Sequence, residues 1–226
     1  MANVSLSNKE FRKALSFVSV TTVLIGGVVG AIRHFVFGTD STLAYAQGFN
    51  VGISMAVVIA IWVFRRPWTI TWLAQVTGRP IIHGVWFGHL DTNYNTDVTS
   101  SITKIPIAFV IKQTYLGYSL LSYTAHQNSE TLIESLVVDD QHGTVLLRYM
   151  YEFSIRKPDE RKLTTGAAEL RLVENCTKLT GHYLTNSPTQ GFAELVLVQR
   201  DCQGIDTFSA VQKLYNEKIS AILNNR

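Results

Sequence analysis

The sequence predicts a membrane-anchored all-β protein, with two N-terminal transmembrane helices followed by an eight-stranded antiparallel β-barrel and a C-terminal helix. Three observations predict it. Two long uncharged runs fill the first third of the 226 residues, short alternating β-branched and aromatic segments fill most of the rest, and the last segment is apolar at helical spacing. The expected division is a membrane module over 1–66, an interfacial linker over 67–80 and a barrel domain over 81–226.

The membrane module comes first. No charged residue occurs from Ala14 to Ile32 or from Thr42 to Phe64. At about 1.5 Å per residue, each run can cross a hydrocarbon core of roughly 30 Å. The connection Arg33–Ser41 is too short for a domain, so the runs form a helical hairpin. Lys9, Arg12 and Lys13 precede it and Arg65 and Arg66 follow it, while the connection holds only Arg33. The positive-inside rule then places both ends, and the β-domain, in the cytoplasm. Ala44-Tyr45-Ala46 has the form of a signal-cleavage tripeptide, but it lies inside the second run, beyond Arg33, His34 and Asp40, which disfavours a cleaved leader.

Both spans carry small residues at four-residue spacing: Thr22, Gly26 and Gly30 in the first, Ala44, Gly48, Gly52, Ala56 and Ala60 in the second. Such stripes permit close backbone approach in lipid. They serve either the hairpin itself or self-association between chains, for which Gly26, Gly30, Gly48 and Gly52 are the candidates. Gly27 and Ala31 offer a second small face. Gln47 and Asn50 are polar within the second span and are expected to find partners in a packed bundle.

After Pro67 the texture changes. Trp68 and Trp72 suit headgroup depth. Eight strands are expected over 83–91, 104–113, 116–125, 131–139, 143–155, 165–174, 177–185 and 191–199. Turn signals such as Asp139-Asp140-Gln141-His142-Gly143 and Asn186-Ser187-Pro188 separate several of them. In the fifth, Val145, Leu147, Tyr149, Tyr151, Phe153 and Ile155 share one face, which must point inward because a one-residue slip would expose six large apolar side chains. Consecutive antiparallel strands with one buried face favour an up-and-down barrel, which has no open edge. Phe208, Val211, Leu214, Tyr215, Ile219 and Ile222 make Asp206–Leu223 an amphipathic helix, expected to cover a barrel end.

Composition excludes several functions. Residues 1–66 hold six Lys/Arg against two Asp/Glu, leaving fourteen against fifteen in 67–226. The basic excess is therefore a membrane-flank effect, and DNA or RNA binding has no basic face to use. Cys176 and Cys202 are too few for a disulfide framework, and the six histidines show no metal-ligand spacing, so neither metal nor cofactor is expected. Nucleophile-elbow and phosphate-loop motifs do not occur, and the Asp139-Asp140 and Asp159-Glu160 pairs fall in turns. Nothing argues for an enzyme. What remains is a barrel interior where Tyr149, Tyr151 and Tyr183 can stack and hydrogen-bond and Thr185 can donate, with Trp86 either an aromatic platform or a plug for the floor. Arg171 and Lys112 alternate with apolar residues and should face solvent.

Two spans leading into His83-Gly84-Val85-Trp86-Phe87-Gly88-His89-Leu90, then Tyr149-Met150-Tyr151, then Leu179-Thr180-Gly181-His182-Tyr183-Leu184-Thr185 and Gly191, resemble a known family. It is the two-transmembrane, β-strand-rich effectors of bacterial CBASS anti-phage systems, associated with SMODS-type nucleotidyltransferases, and the resemblance spans nearly the whole chain. It implies a lipocalin-like barrel that binds a cyclic dinucleotide made by a partner nucleotidyltransferase. It further implies homo-oligomerisation through the membrane helices, disruption of the inner membrane and death of the infected cell. By motif, Trp86, Tyr149, Tyr151, Tyr183 and Thr185 occupy the family's pattern positions. The pattern leads one to expect a basic residue after Thr185, where this chain has Asn186-Ser187-Pro188-Thr189. Arg148, Arg171, Lys112 and Lys178 remain as candidates for the phosphates. Two other readings suit the same residues: a membrane-tethered carrier of a lipid or small apolar ligand, and a structural subunit whose barrel binds nothing.

Overall fold

The computed structural model describes residues 3–4, 8–66, 68–93, 103–139, 141–154, 164–187 and 189–224. Pro67, Asp140, Ile155, the Asp159-Glu160 pair and Pro188, which figured in the sequence analysis, lie outside them. The chain divides into two units: residues 6–67 with 114–116, and the remainder.

The first unit is an antiparallel helix pair, α1 (Asn8–Phe37) and α2 (Ser41–Arg65), both long and apolar enough to cross a membrane. The reversal between them is local chemistry. Gly38 takes φ +65°, the left-handed conformation that ends a helix, and Asp40 Oδ1 accepts the Thr42 and Leu43 amides at 2.9 and 3.3 Å to start the next. The small residues face each other across the pair. A methyl on Gly52 would stand 2.7 Å from the Thr22 carbonyl, and one on Gly26 3.1 Å from Phe49 Cα. The stripes are thus occupied within the hairpin. Leu15, Val20, Leu24, Val28, Ile53, Val58 and Trp62 point outward and exposed, as a lipid-facing surface requires.

The second unit is the barrel. Its strands are β2 (Gly84–Thr92), β3 (Thr103–Gln113), β4 (Gly117–Tyr123), β5 (Asn128–Asp139), β6 (Thr144–Ser154), β7 (Thr165–Val173), β8 (Lys178–Thr185) and β9 (Gln190–Gln199). Each pairs antiparallel with its sequence neighbour, β2 pairs with β9, and the short β4–β5 pairing of Leu121–Tyr123 with Asn128–Glu130 closes the ring. A two-residue strand, β1 (Asn3–Val4), lies along β4 at Gly117 and Tyr118. The inward face of β6 is the one its alternation demanded: Leu147, Tyr149 and Tyr151 are buried in the core, with Val145 and Phe153 packed against it.

The two ends of the barrel differ. At the end formed by the starts of β2, β4, β6 and β8, Ile82, Trp86, Ile111, Leu120, Leu147, Leu170, Leu179 and Leu195 are fully buried. Trp86 donates its indole N–H to the Ile82 carbonyl at 3.1 Å, and the Arg200 guanidinium sits 5.9 Å from its ring. Arg200 also donates to the carbonyls of Ile81, His83 and Cys176, tying three segments together beneath this floor. Burial holds its guanidinium pKa below the usual value.

Two expectations are corrected. The final helix, α4 (Phe208–Asn224), covers no barrel end. It packs on the outer wall, where Val85, Phe87, Ala108, Val110 and Val198 make the outward face apolar and Val211, Phe208, Leu214 and Tyr215 of the helix bury against them. Trp68 is not an interfacial side chain: it is 2% exposed, with its amide on the Gln113 carbonyl at 2.8 Å and its indole N–H on Arg79 O at 3.3 Å. Within the expected linker, residues 71–77 form a helix of about two turns, α3 (Thr71–Thr77), ended by Gly78 at φ +70°. Gln113 then anchors the approach to β2. Its Oε1 accepts the amides of Ile82 and His83, its Nε2 donates to Pro80 O, and its own amide donates to His83 Nδ1 at 3.0 Å.

Candidate functional site

At the other end the barrel is hollow. The ends of β2, β4, β6 and β8 and the starts of β3, β5 and β9 enclose a cavity of about 420 Å³, within the range of small-molecule sites. Strand alternation decides what lines it. Tyr149, Tyr151 and Phe153 come from β6, Ile105, Ile107 and Phe109 from β3, Leu90 and Thr92 from β2, Tyr183 and Thr185 from β8, and Ala193 from β9.

The aromatic wall is ordered by mutual contact. Phe109 meets Tyr149 edge-on at 6.1 Å, Tyr149 lies 5.7 Å from Tyr151, and Tyr151 meets Phe153 edge-on at 5.4 Å. Two glycines let these rings lie flat on the wall. Tyr151 pairs across strands with Gly166, and Tyr183 with Gly191. A methyl on Gly166 would overlap the end of the Tyr151 ring, and one on Gly191 would stand 2.9 Å from the Tyr183 ring. Facing the rings is a rim of neutral hydroxyls and an amide from Ser122, Thr124, Gln127, Ser129, Thr164, Ser187 and Thr189. Ser122 and Ser129 share a hydrogen bond of 2.6 Å, both buried, across the β4–β5 closure. The Thr185 hydroxyl is engaged by Ser187 O in the β8–β9 turn.

Electrostatics follow from this lining. Among the described residues that line the cavity none is charged. Burial pushes the pKa of Tyr149 and Tyr151 well above the usual value, and that of Tyr183 upward too, with a hydrogen bond from Thr92 opposing. All three phenols stay protonated near neutrality and remain donors. No group of three or more His, Cys, Asp or Glu among the described residues could hold a metal ion. The arrangement presents flat aromatic faces to a planar ring system and hydroxyl donors to anionic or carbonyl oxygens, and no nucleophile–base pair occurs among the described residues that line it.

The structure therefore brings Tyr149, Tyr151, Tyr183 and Thr185 onto one cavity. Trp86 sits apart from it, fully buried in the floor. Arg148 and Arg171 fall on outward positions: both are exposed, and Arg148 Nε pairs with Glu169 Oε2 at 2.6 Å. Lys112 is exposed as well, and Lys178 pairs with Glu194 at 3.1 Å and Glu174 at 3.4 Å. The reason is the alternation of a pleated strand, which sends every neighbour of an inward residue outward. Arg148 borders instead a wider, open groove of about 990 Å³ on the outer wall, with exposed Ile133, Met150 and Leu184. Thr92, Tyr149 and Tyr183 border both hollows.

The sequence analysis missed several residues here. Ser122 and Phe109 carried the ordinary signal of inward alternation, whereas Ser129 lay before the expected start of its strand. Glu134 carried none. It is 7% exposed and faces Tyr149 across β5–β6, where Thr131 donates to its carboxylate. A bulge between Thr131 and Ile133 shifts the phase of β5, sending Ile133 out and Glu134 in.

Comparison with known proteins adds one finding. A family model described as Cap15, cyclic dinucleotide receptor domain, matches residues 77–199, more than half of the chain and all eight barrel strands. No curated protein matches.

Proposed function

We propose, taking as premise that the chain belongs to the Cap15 cyclic dinucleotide receptor domain family, that it is a membrane effector of bacterial CBASS immunity whose barrel senses a cyclic dinucleotide. A partner nucleotidyltransferase makes the signal on infection. The ligand enters the open end of the barrel, its bases stack on Tyr151 and Tyr183, and hydroxyls of the rim meet its phosphates. Ligand-bound chains assemble through their membrane helices in the inner membrane, with the barrel in the cytoplasm, and the membrane lesion kills the cell. The protein acts as a receptor, not as an enzyme.

The observation that carries this reading is the cavity itself, an aromatic and hydroxyl-lined hollow at one end of a barrel whose other end is packed solid. A cyclic dinucleotide has two bases to stack, each contributing roughly 1–3 kcal/mol on an aromatic platform, and two phosphates for charge-assisted hydrogen bonds. A ligand can drive assembly only if it binds the assembled state better than the free one. The test is thermal unfolding of the full chain in lipid nanodiscs against a panel of cyclic dinucleotides. At about 100 times its Kd, the cognate one adds roughly 2.7 kcal/mol, and linear dinucleotides add nothing.

The uncharged lining favours a second reading, a tethered carrier of an apolar ligand. That reading predicts stabilisation by fatty acids or lysolipids and none by any cyclic dinucleotide.

A further inference from the structure

The helix pair leaves two polar side chains unaccounted for. The buried stripe of α2, Ala44, Gly48, Gly52, Ala56 and Ala60, faces α1. With about 100° between successive residues, Gln47, Asn50 and Ser54 fall on the opposite side of α2. Asn50 and Ser54 are exposed and Gln47 is half-exposed. The Ser54 hydroxyl is satisfied, donating to the Asn50 carbonyl at 3.1 Å. The two carboxamides have no hydrogen-bond partner among the described residues.

Their depth makes this consequential. Asn50 lies three residues from Ile53, the midpoint of α2, or about 4.5 Å along the axis. There, neither water nor lipid tails can satisfy an amide. Side chains of this kind inside a membrane face other helices. A carboxamide is both donor and acceptor, so it is self-complementary: two Asn50 side chains related by a two-fold axis satisfy each other with a pair of hydrogen bonds. The small-residue stripe of α2 is already spent on α1, so it does not compete for this contact.

We propose that the Gln47–Asn50–Ser54 face of α2 is where a second copy of this chain docks within the membrane, with Asn50 pairing to its own counterpart. The inference rests on the membrane assembly proposed above and names its contact.

The test uses the full chain, labelled at its C-terminus with donor or acceptor dye and reconstituted into phosphatidylcholine–phosphatidylglycerol vesicles. Energy transfer is followed as the protein-to-lipid ratio rises, with and without the cyclic dinucleotide that most stabilises the barrel. Asn50→Leu should raise the ratio needed for half-maximal transfer by about 3–30-fold. Asn50→Gln should restore most of it, and Ile53→Leu should change nothing. Transfer in Asn50→Leu matching the unsubstituted chain overturns the proposal; if its melting shift with the dinucleotide also persists, the sensing function stands without this contact. Dependence on Asn50 in cell membranes but not in purified vesicles assigns the face to another membrane protein and likewise overturns it. Absence of transfer in every chain removes both the contact and the assembly step, while the melting shift still reports sensing.

Discussion

Replacing Gly166 with Ala should weaken ligand binding through a side chain it does not alter. Gly166 is buried on β7 directly opposite Tyr151 on β6, and an added methyl would overlap the end of that ring while standing 2.7 Å from Leu184 O. The backbone of β8 holds the carbonyl, so the ring is the part that yields. It must retreat by roughly 1 Å into the cavity, because the wall around it is packed to interior density by Tyr149 and Phe153 at 5.7 and 5.4 Å. Overpacking of this kind costs about 1–3 kcal/mol of folding stability. If Tyr151 is a stacking platform contributing about 1–3 kcal/mol, its displacement lowers affinity by about 5–150-fold. The assay is isothermal titration of the full chain in nanodiscs with the cognate cyclic dinucleotide, for wild type, Gly166→Ala, Tyr151→Leu and the double variant. Because both substitutions act through one ring, Gly166→Ala should cost less than about 2-fold once Tyr151 is Leu. Equal costs in the two backgrounds would mean that Tyr151 does not touch the ligand, and the reasoning fails.

Three further predictions follow from the same geometry. Tyr149, Tyr151 and Tyr183 have folded pKa values raised by burial above the unfolded value, which is about 10. Stability is full below that value and lost as pH rises beyond it, so tyrosinate absorbance should appear together with unfolding above about pH 10 and show no separate native titration of these three. His83 shifts the other way, its pKa lowered by burial and by Arg200, while its Nδ1 accepts the Gln113 amide. Its contribution is present above the unfolded pKa of about 6.5 and lost as pH falls below it. His83→Asn should therefore flatten the fall in melting temperature between pH 6.5 and 5, both pH limits being about the unfolded histidine value and below. Arg148→Gln removes an exposed pair with Glu169 whose side chains are 52% and 51% accessible. It should change stability by less than about 1 kcal/mol and leave dinucleotide affinity within about 2-fold, read by the same titration.

Legibility in the sequence followed how local the determining physics is. The helix pair was legible because lipid demands a long uncharged run, and Gly38 and Asp40 are the residue types that end and restart helices. The barrel was legible because β6 alternates without interruption from Val145 to Phe153. The strand edges agree to within a residue or two, except for β5, which begins at Asn128 and not near Thr131. There the closure pairing with β4 is a tertiary contact that no local pattern announces. The same holds for Glu134, whose inward position depends on a bulge, and for α4, whose apolar stripe could have met either a barrel end or a wall. Trp68 and Trp72 look alike in sequence, yet only Trp72 is exposed, because Gln113 and Arg79 supply partners for Trp68 from distant positions. Within the cavity, the tyrosines were legible through alternation, whereas the glycines beneath them read as ordinary turn or strand residues until the cross-strand register was known.

The most direct measurement is the structure of the full chain bound to its cognate cyclic dinucleotide. The account predicts the ligand inside the barrel, with bases against Tyr151 and Tyr183 and phosphates within hydrogen-bond reach of the hydroxyls around Ser122, Ser129 and Thr189. A ligand seated in the outer groove against Ile133, Met150 and Leu184, with the barrel interior unchanged, would contradict it.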